Sequence, residues 1–220
     1  VGGFRTSTIA RTLQAGVNYR IRFEYFQEGG GAAASFTWKR KNETRDLFIE
    51  HLNKADMIVA CFGHSSDSEA EGGDRSFFLP EADSQLITRI AKCKKPIIGV
   101  VNAGGNIGMQ SWEPSLKGLL WGWYAGQEGG HAIADVLFGK VNPSGKLPMT
   151  FEKKWEDNPA YNSYHDPDGD KHVKYTEGIY IGYRGYDKLG RDVQYPFGYG
   201  LSYTSFKLSD MVASAPNADG

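Results

Sequence analysis

The segment SEAEGGDRSFFLP, residues 68–80, lies between two apolar segments of different period. The segment before it, MIVAC at 57–61, is short and uninterrupted, and predicts a buried strand. The segment after it, 81–92, has apolar residues at helical spacing and predicts a helix. Loops that follow the carboxyl ends of strands are the usual ligand sites of α/β sheets. We therefore expect the functional site in residues 68–80.

Strand and helix patterns continue to alternate after this segment. PIIGVV at 96–101 is an unbroken apolar run, typical of a strand buried on both faces of a parallel sheet. GLLW at 118–121 predicts a third strand, and residues 127–138 predict a helix that Gly139 ends. Upstream of MIVAC, apolar residues between 47 and 55 follow helical spacing. The alternation predicts an α/β layered sandwich with a mostly parallel sheet.

The N-terminal part of the chain has a β-like pattern instead. Residues 6–13, 19–26 and 34–39 alternate β-branched or aromatic residues with polar ones, and glycine-containing turns at 16–18 and 29–31 separate them. Three strands with a polar face do not enclose a core. We therefore expect the rest of this small β domain to precede the chain.

The C-terminal part loses its periodicity after residue 140. Residues 161–174 are polar and predict an exposed loop. Residues 206–212 predict a strand that begins another domain, and residues 213–220 are expected to be a frayed end.

Composition excludes several classes of partner. The net charge of −1 gives no reason to expect binding to nucleic acid or to an anionic membrane. No apolar run reaches the roughly 18 residues of a membrane span, and the first residues lack the layout of a signal peptide. Cys61 and Cys93 do not form a disulfide framework, and we expect two free thiols that are buried or half-buried.

Carboxylates are concentrated in and just before the segment at 68–80, at Asp67, Glu69, Glu71 and Asp74. Hydrolysis of a glycosidic bond needs two carboxyl groups, one of which must be protonated to donate to the leaving oxygen. Glu71 fits that role because Gly72 and Gly73 let the backbone approach a ligand. Asp74 and Arg75 are predicted to be a structural pair, with Arg75 anchoring the loop through carbonyls or carboxylates. On composition alone, a solvated acidic loop is the alternative.

Other candidate sites are weaker. The loop carboxylates lack the spacing of a calcium-binding EF-hand, so we expect no metal. The loop NAGGNIG at 102–108 lacks both glycine patterns of nucleotide-binding loops, so we expect no nucleotide cofactor, and no other cofactor either. His64, after the first strand, is either a hydrogen-bonded loop histidine or a substrate contact. Trp121, Trp123 and Tyr124 either stack on a sugar ring or belong to the core.

Four segments with unusual sequences occur in one order along the chain: EAEGGDRSFFLP, KKPIIGVVNAGG, GLLWGWYAGQEGGHAIADVLFGKVNPSGKLPMTF and YPFGYGLSYTSF. Together they resemble the second, α/β-sandwich domain of glycoside hydrolase family 3, in particular of bacterial β-glucosidases, over roughly residues 45–207. The resemblance implies three parts. Residues 1–42 would be the terminal strands of a protective-antigen-like β-sandwich insert, residues 43–205 the C-terminal α/β-sandwich domain, and residues 206–220 the start of a fibronectin-type domain or a tail.

The resemblance implies part of a retaining exo-β-glucosidase. Such an enzyme hydrolyses terminal non-reducing β-D-glucosyl residues of β-glucosides or cello-oligosaccharides, as in cellulose degradation. Matching of E-G-x-D-R places the general acid/base on Glu71, with Glu69 as the fallback because the loop varies in length. The aspartate nucleophile would belong to an N-terminal β/α-barrel domain outside this chain. His64, Glu69 and Phe26 are expected to contact substrate.

Two alternatives to a β-glucosidase stay open from the sequence. One is a β-xylosidase of the same family, and the other is a non-catalytic carbohydrate-binding fragment. A periplasmic or secreted location is expected because oligosaccharides are met outside the cytoplasm. A homodimer is the assembly to be expected if the enzyme self-associates.

Overall fold

The structure, a computed structural model, describes residues 7–22, 45–166 and 169–213. The chain divides into two compact units, Val1–Lys54 and Ala55–Gly220. In the first unit, helix α1 spans Arg45–Asn53, which confirms the helix predicted from the apolar spacing. Gly16 has a φ of +79°, and the Val17 N–H donates to the Gln14 carbonyl oxygen at 3.4 Å, so the turn predicted there is present.

The strands predicted in the first unit are not formed where the structure describes them. Residues 7–22 have no strand, and all of them are exposed. A strand is stable only when a neighbouring strand takes its hydrogen bonds and a core covers one of its faces. The alternating pattern indicated strands, but among the described residues no strand pairs with residues 7–22 and no core covers them. The predicted strand at 34–39 and Phe26 lie outside the described residues, and the assignment of 1–42 to an insert stays a prediction.

The second unit is built on a three-stranded parallel sheet in the order β1-β2-β3. Its strands are β1 (Ile58–Gly63), β2 (Ile97–Asn102) and β3 (Gly118–Trp121). The central strand is the most buried: Ile97, Val100 and Val101 are at most 1% exposed. The unbroken apolar run had predicted this burial, because both edges of β2 are paired and its side chains are covered. The α/β sandwich with a parallel sheet is therefore confirmed.

Two helices follow the strands as predicted. Helix α2 spans Glu81–Ala91 and buries Ile87 and Ile90, three residues apart on one face. Its first turn contains acidic residues, which interact favourably with the helix N-terminus. Helix α3 spans Gly129–Leu137 and ends before Gly139, whose φ of +73° suits a residue without a side chain.

A second, smaller sheet was missed by the sequence analysis. Strand β4 (Phe151–Glu152) pairs antiparallel with β5 (Val193–Tyr195), and helix α4 (Tyr183–Leu189) lies between them in the chain. Strands of two and three residues are too short to show a period. Phe151 is nevertheless 1% exposed and Tyr186 4% exposed, so this region has a core of its own.

Two further expectations need correction. The strand predicted at 206–212 is wrong, because these described residues have no regular structure and are exposed. Both cysteines are free, as predicted, and Cys93 is buried. Cys61 is exposed, since β1 alternates buried and exposed positions and Cys61 lies on the exposed face.

Candidate active site

The loop between β1 and α2 presents Glu71 at its tip. Glu71 and Gly72 form a turn in which Gly72 has a φ of +78°. Glu71, Gly72 and Gly73 are exposed, and a Cβ atom added at either glycine would meet nothing within 4 Å. Within the described residues the Glu71 carboxylate has no hydrogen-bond partner. This carboxylate is therefore free to face a ligand or another domain.

Glu69, two residues earlier, is held at three points. The Tyr124 hydroxyl donates to its Oε2 atom at 2.6 Å, and the Gly104 backbone N–H donates to the same atom at 3.4 Å. The Arg75 Nε atom lies 3.4 Å from Oε1. Burial acts to raise the Glu69 pKa, but the Tyr124 and Gly104 hydrogen bonds and the Arg75 charge together bring that pKa below its ordinary value. A carboxyl group held in the ionised form is a poor proton donor, which argues against Glu69 as the fallback acid.

Arg75 anchors the other end of the loop. Its Nη2 atom donates to the Asn106 carbonyl oxygen at 2.6 Å, and its Nη1 atom donates to the Ser76 carbonyl oxygen at 3.1 Å. These bonds to carbonyls are of the kind the sequence had suggested. The ionic partner differs from the expected one, because Arg75 pairs with Glu69 rather than with Asp74. Asp74 is the nearer residue in sequence, but the fold turns its side chain toward a different segment.

That segment is the turn-rich region at 161–166. The Tyr164 hydroxyl donates to the Asp74 Oδ1 atom at 2.8 Å, and this hydrogen bond raises the pKa of the Tyr164 phenol. Further along the loop, the Gly108 N–H donates to the Phe77 carbonyl oxygen at 2.7 Å. The loop is thus bonded to neighbouring segments at several points on both sides of its tip.

His64 lies at the end of β1 and is 7% exposed. Its Nδ1 atom is 3.1 Å from the Ser68 hydroxyl, while Nε2 has no partner among the described residues. Burial, and then the Arg75 charge, lower the His64 pKa, while Glu69 and Asp83 act in the opposite direction. The structure therefore shows a hydrogen-bonded loop histidine. A substrate contact from His64 stays a prediction, and Phe26 lies outside the described residues.

The loops after β2 and β3 complete the site. A Cβ atom at Gly104 would lie 2.5 Å from the Glu69 Oε1 atom, and one at Gly105 would lie 2.8 Å from the Arg75 Nη2 atom. These two glycines allow Glu69 and Arg75 to approach the backbone. Neither glycine was among the predicted site residues, although paired glycines shortly after a strand indicate close approach of another group to the backbone.

The aromatic residues after β3 divide between core and site. The Trp121 ring centroid lies 4.7 Å from that of Phe151, and the Trp123 centroid lies 6.2 Å from it, so these two tryptophans belong to an aromatic core. Tyr124 is 57% exposed and points its hydroxyl at Glu69. From the sequence, Tyr124 was predicted either to stack on a sugar ring or to belong to the core. Its hydrogen bond to Glu69 was not predicted, because the two residues lie 55 positions apart in the chain.

No metal centre is evident in the described part of the chain. There, no group of three or more His, Cys, Asp and Glu side chains is arranged to hold an ion. Among the described helices, none combines the length and the hydropathy that crossing a membrane requires.

Comparison with known families agrees with this architecture. The model of the glycosyl hydrolase family 3 C-terminal domain matches residues 3–183. The chain belongs to glycosyl hydrolase family 3. The resemblance of the four segments to the second domain of family 3 is thereby confirmed, although the matched range begins well upstream of residue 45.

Two sequence relatives place this family 3 chain among larger proteins. "Probable beta-glucosidase K" of Emericella nidulans is 44% identical over 171 residues, which are 77% of this chain and 20% of that protein. "Probable beta-glucosidase H" of Aspergillus oryzae is 39% identical over 222 residues, 93% of this chain and 27% of that protein. The family 3 chain thus spans about a fifth to a quarter of the length of these relatives.

Solved structures show the same fold. A β-glucosidase from Kluyveromyces marxianus in complex with glucose matches with a TM-score of 0.70 and 37% identity, over 80% of this chain and 21% of that one. β-Glucosidase 3B from Thermotoga neapolitana in complex with glucose matches with a TM-score of 0.71 and 36% identity, over 80% of this chain and 26% of that one. Sequence identities of 37% and 36% support the conclusion that this chain and these two enzymes share the α/β domain.

Proposed function

We propose that this chain supplies the general acid/base of a retaining exo-β-glucosidase, and that Glu71 is the residue. The observation that supports this most directly is the loop geometry. Glu71 stands unpaired between Glu69 and Arg75, which are bonded to each other and to the backbone of the loop that follows β2. The relatives named β-glucosidases, and the structures of β-glucosidases with glucose, support the substrate class.

The reaction needs a second carboxylate, on the opposite side of the sugar. A retaining glycosidase uses an aspartate or glutamate nucleophile to form a glycosyl-enzyme, while the acid protonates the leaving oxygen and then activates water. In this proposal an N-terminal β/α-barrel domain provides the aspartate nucleophile. That domain would also cover the exposed tip of the loop. Enclosure favours the protonated form of a carboxyl group, which a proton donor requires.

The test is Glu71→Ala in the longer enzyme, with a series of aryl β-glucosides that differ in leaving-group acidity. We expect kcat/KM to fall by about two to four orders of magnitude for cellobiose and poorly activated aryl glucosides, the usual contribution of general acid catalysis. Activated aryl glucosides should lose less, because their leaving groups depart without a proton. Azide should partly restore turnover of the activated substrates, since it replaces water as the nucleophile in the second step.

A matched control is Glu81→Ala, which removes an exposed glutamate from the start of α2. This variant should retain activity on every substrate. Unchanged cellobiose turnover in Glu71→Ala would remove Glu71 from the role. Binding of cello-oligosaccharides without hydrolysis by the longer enzyme would favour a carbohydrate-binding function instead, and a higher kcat/KM for aryl β-xylosides would indicate a β-xylosidase.

The proposal extends to the location and assembly of the enzyme. β-Glucosides and cello-oligosaccharides are met outside the cytoplasm, so the proposed location is periplasmic or secreted, which activity measurements on cell fractions would test. Self-association into a homodimer belongs to the same proposal, and sedimentation of the longer enzyme would measure it.

A further inference from the structure

The loop at 69–75 is closed at its base. Glu69 and Arg75 lie six positions apart in sequence, yet the Arg75 Nε atom is 3.4 Å from the Glu69 Oε1 atom. Their side chains are only 22% and 17% exposed, so the pair is shielded from solvent more than an ordinary surface ion pair. Glu71 lies on the short stretch between these two fixed residues. Closure at the base restricts the positions that the Glu71 carboxylate can reach.

The base of the loop is bonded to the loops that follow two other strands. The Gly104 N–H and the Asn106 carbonyl, both after β2, bond Glu69 and Arg75 respectively. The Tyr124 hydroxyl, after β3, bonds Glu69 at 2.6 Å. Parallel strands end at one edge of a sheet, which explains why the three loops meet. We call Glu69, Arg75 and Tyr124, with the backbone at 104–106, the base cluster.

Tyr124 is directed into the base cluster by its backbone. Trp123, directly before it, has a φ of +51°, a left-handed conformation that is unfavourable for a residue with a side chain. The ring of Trp123 packs at 6.2 Å from Phe151 and 6.3 Å from Trp121, which stabilises this conformation. Strained residues of this kind are concentrated at functional sites. This conformation directly precedes Tyr124, whose hydroxyl donates to the Glu69 Oε2 atom.

The ionisable groups of the base cluster are suited to fixing the conformation of the loop rather than to transferring protons. Glu69 is held ionised, since its hydrogen bonds and Arg75 lower its pKa against the effect of burial. Burial, and then the Glu69 carboxylate, raise the pKa of Tyr124, so its hydroxyl keeps the proton that it donates. Neither group is therefore ready to exchange a proton with substrate near neutral pH.

We infer that Tyr124 and Glu69 are positioning residues that fix the acid/base loop and set the place from which Glu71 donates its proton. This inference rests on the proposed function of Glu71. It separates the two glutamates of E-A-E by role: Glu69 binds the scaffold, and Glu71 meets the substrate.

The test is Tyr124→Phe in the longer enzyme, which removes one hydroxyl. The tyrosine ring is 57% exposed, so the substitution leaves no cavity. We expect kcat/KM to fall about ten- to hundredfold for aryl β-glucosides with poor leaving groups, the range for a catalytic group displaced by about 1 Å. Activated substrates should change by less than about threefold, because they depend little on protonation. KM for the activated substrates should be unchanged.

A double-mutant cycle with Glu71→Ala provides the readout that a merely structural role would not change. If Tyr124 acts through Glu71, adding Tyr124→Phe to Glu71→Ala should cost no further activity on poor leaving groups. The matched control is Tyr195→Phe, which removes a comparable bond, from the Tyr195 hydroxyl to the Glu113 Oε1 atom at 2.8 Å. It should show no dependence on the leaving group.

Gly104→Ala is the second variant, for the case in which Tyr124→Phe does not fold. Its Cβ atom would lie 2.5 Å from Glu69 Oε1, so it displaces the base cluster without removing a polar group. An equal loss on all leaving groups, no loss, or an additive loss in the Glu71→Ala background would overturn the inference. If one of these results is found while Glu71→Ala greatly reduces activity, the inference is wrong but the proposed function of Glu71 is supported. If Glu71→Ala does not reduce activity, the proposed function itself is refuted.

Discussion

Gly63 is a position at which the neighbouring backbone leaves no room for a side chain. It ends β1, has a φ of +142°, and pairs with Asn102 in the last position of the β1–β2 ladder. A Cβ atom there would lie 2.0 Å from the Asn102 carbonyl oxygen and 2.9 Å from its nitrogen. Backbone atoms of a central strand cannot move aside as the end of a side chain can. Gly63→Ala should therefore destabilise the domain strongly.

The expected cost follows from three contributions. The φ value alone costs an alanine of order 1–3 kcal/mol. Displacement of Asn102 would break the bond from the His64 N–H to the Asn102 carbonyl oxygen, 2.8 Å long, worth about 1 kcal/mol. The bond from the Gly63 N–H to the Asp83 Oδ2 atom, 3.1 Å long, has a charged acceptor and is worth about 2 kcal/mol. If both hydrogen bonds are lost, the free energy of unfolding should fall by about 4–6 kcal/mol.

The assay is urea unfolding of the 220-residue chain followed by tryptophan fluorescence, with thermal unfolding in parallel. A loss of this size corresponds to a fall in Tm of about 8–24 °C for a chain of this length. The matched control is Gly139→Ala, since Gly139 also has a positive φ, +73°, but open space around its Cβ position. The control should lose only about 1–2 kcal/mol. Equal losses in the two variants would refute the reasoning from the backbone contact.

Two further predictions concern the polar groups beside the site. The pKa of Glu69 is lowered in the folded state from its ordinary value of 4.5, so its contribution to stability is present above that value and is lost as pH falls through the folded value. Glu69→Gln should therefore lower the free energy of unfolding at pH 7, and its stability should approach that of the parent chain in urea titrations as the pH falls from 4.5 through the folded-state pKa. Asn106→Ala should lower the free energy of unfolding by about 3 kcal/mol at pH 7. The Asn106 Nδ2 atom donates to both the backbone oxygen and the carboxylate of Glu152, which is 4% exposed, so the variant would remove two buried hydrogen bonds.

These two predictions have simple controls. Glu128→Gln changes a glutamate whose side chain is 72% exposed, and it should show the same stability as the parent chain at both pH values. Asn106→Asp should be at least as damaging as Asn106→Ala, since it places a second carboxylate against Glu152. A stability gap for Glu69→Gln that widens toward acid would contradict the first prediction. An Asn106→Ala variant as stable as the parent chain would contradict the second.

Much of the parallel sheet was predictable because its signals are local. PIIGVV and GLLW are unbroken apolar runs, and β2 and β3 lie at those runs to within one residue. Helix α2 begins at Glu81, where the helical spacing of apolar residues had placed its start, and α3 ends before Gly139, the predicted stop residue. In contrast, β4 and β5 have too few residues to show a period, and α4 lies within a segment rich in tyrosine and glycine.

The candidate site was predictable in its location but not in its connections. The acidic, glycine-containing loop after a strand indicated where ligands bind, and the motif around Glu71 indicated which carboxylate to favour. The sequence paired Arg75 with its neighbour Asp74, whereas the fold pairs it with Glu69 and gives Asp74 to Tyr164. Proximity in sequence is a poor guide to ion pairs in loops, because the direction of each side chain depends on the turn.

The sequence by itself determined the strand and helix order, the burial of the central strand and the family, because periodicity, turn residues and long motifs are properties of contiguous residues. Only the tertiary structure decided the role of Glu69, the bond it receives from Tyr124 and the need for glycine at 104 and 105. Those contacts join three loops that are separated by tens of residues along the chain. They exist because parallel strands bring their carboxyl ends to a single edge of the sheet.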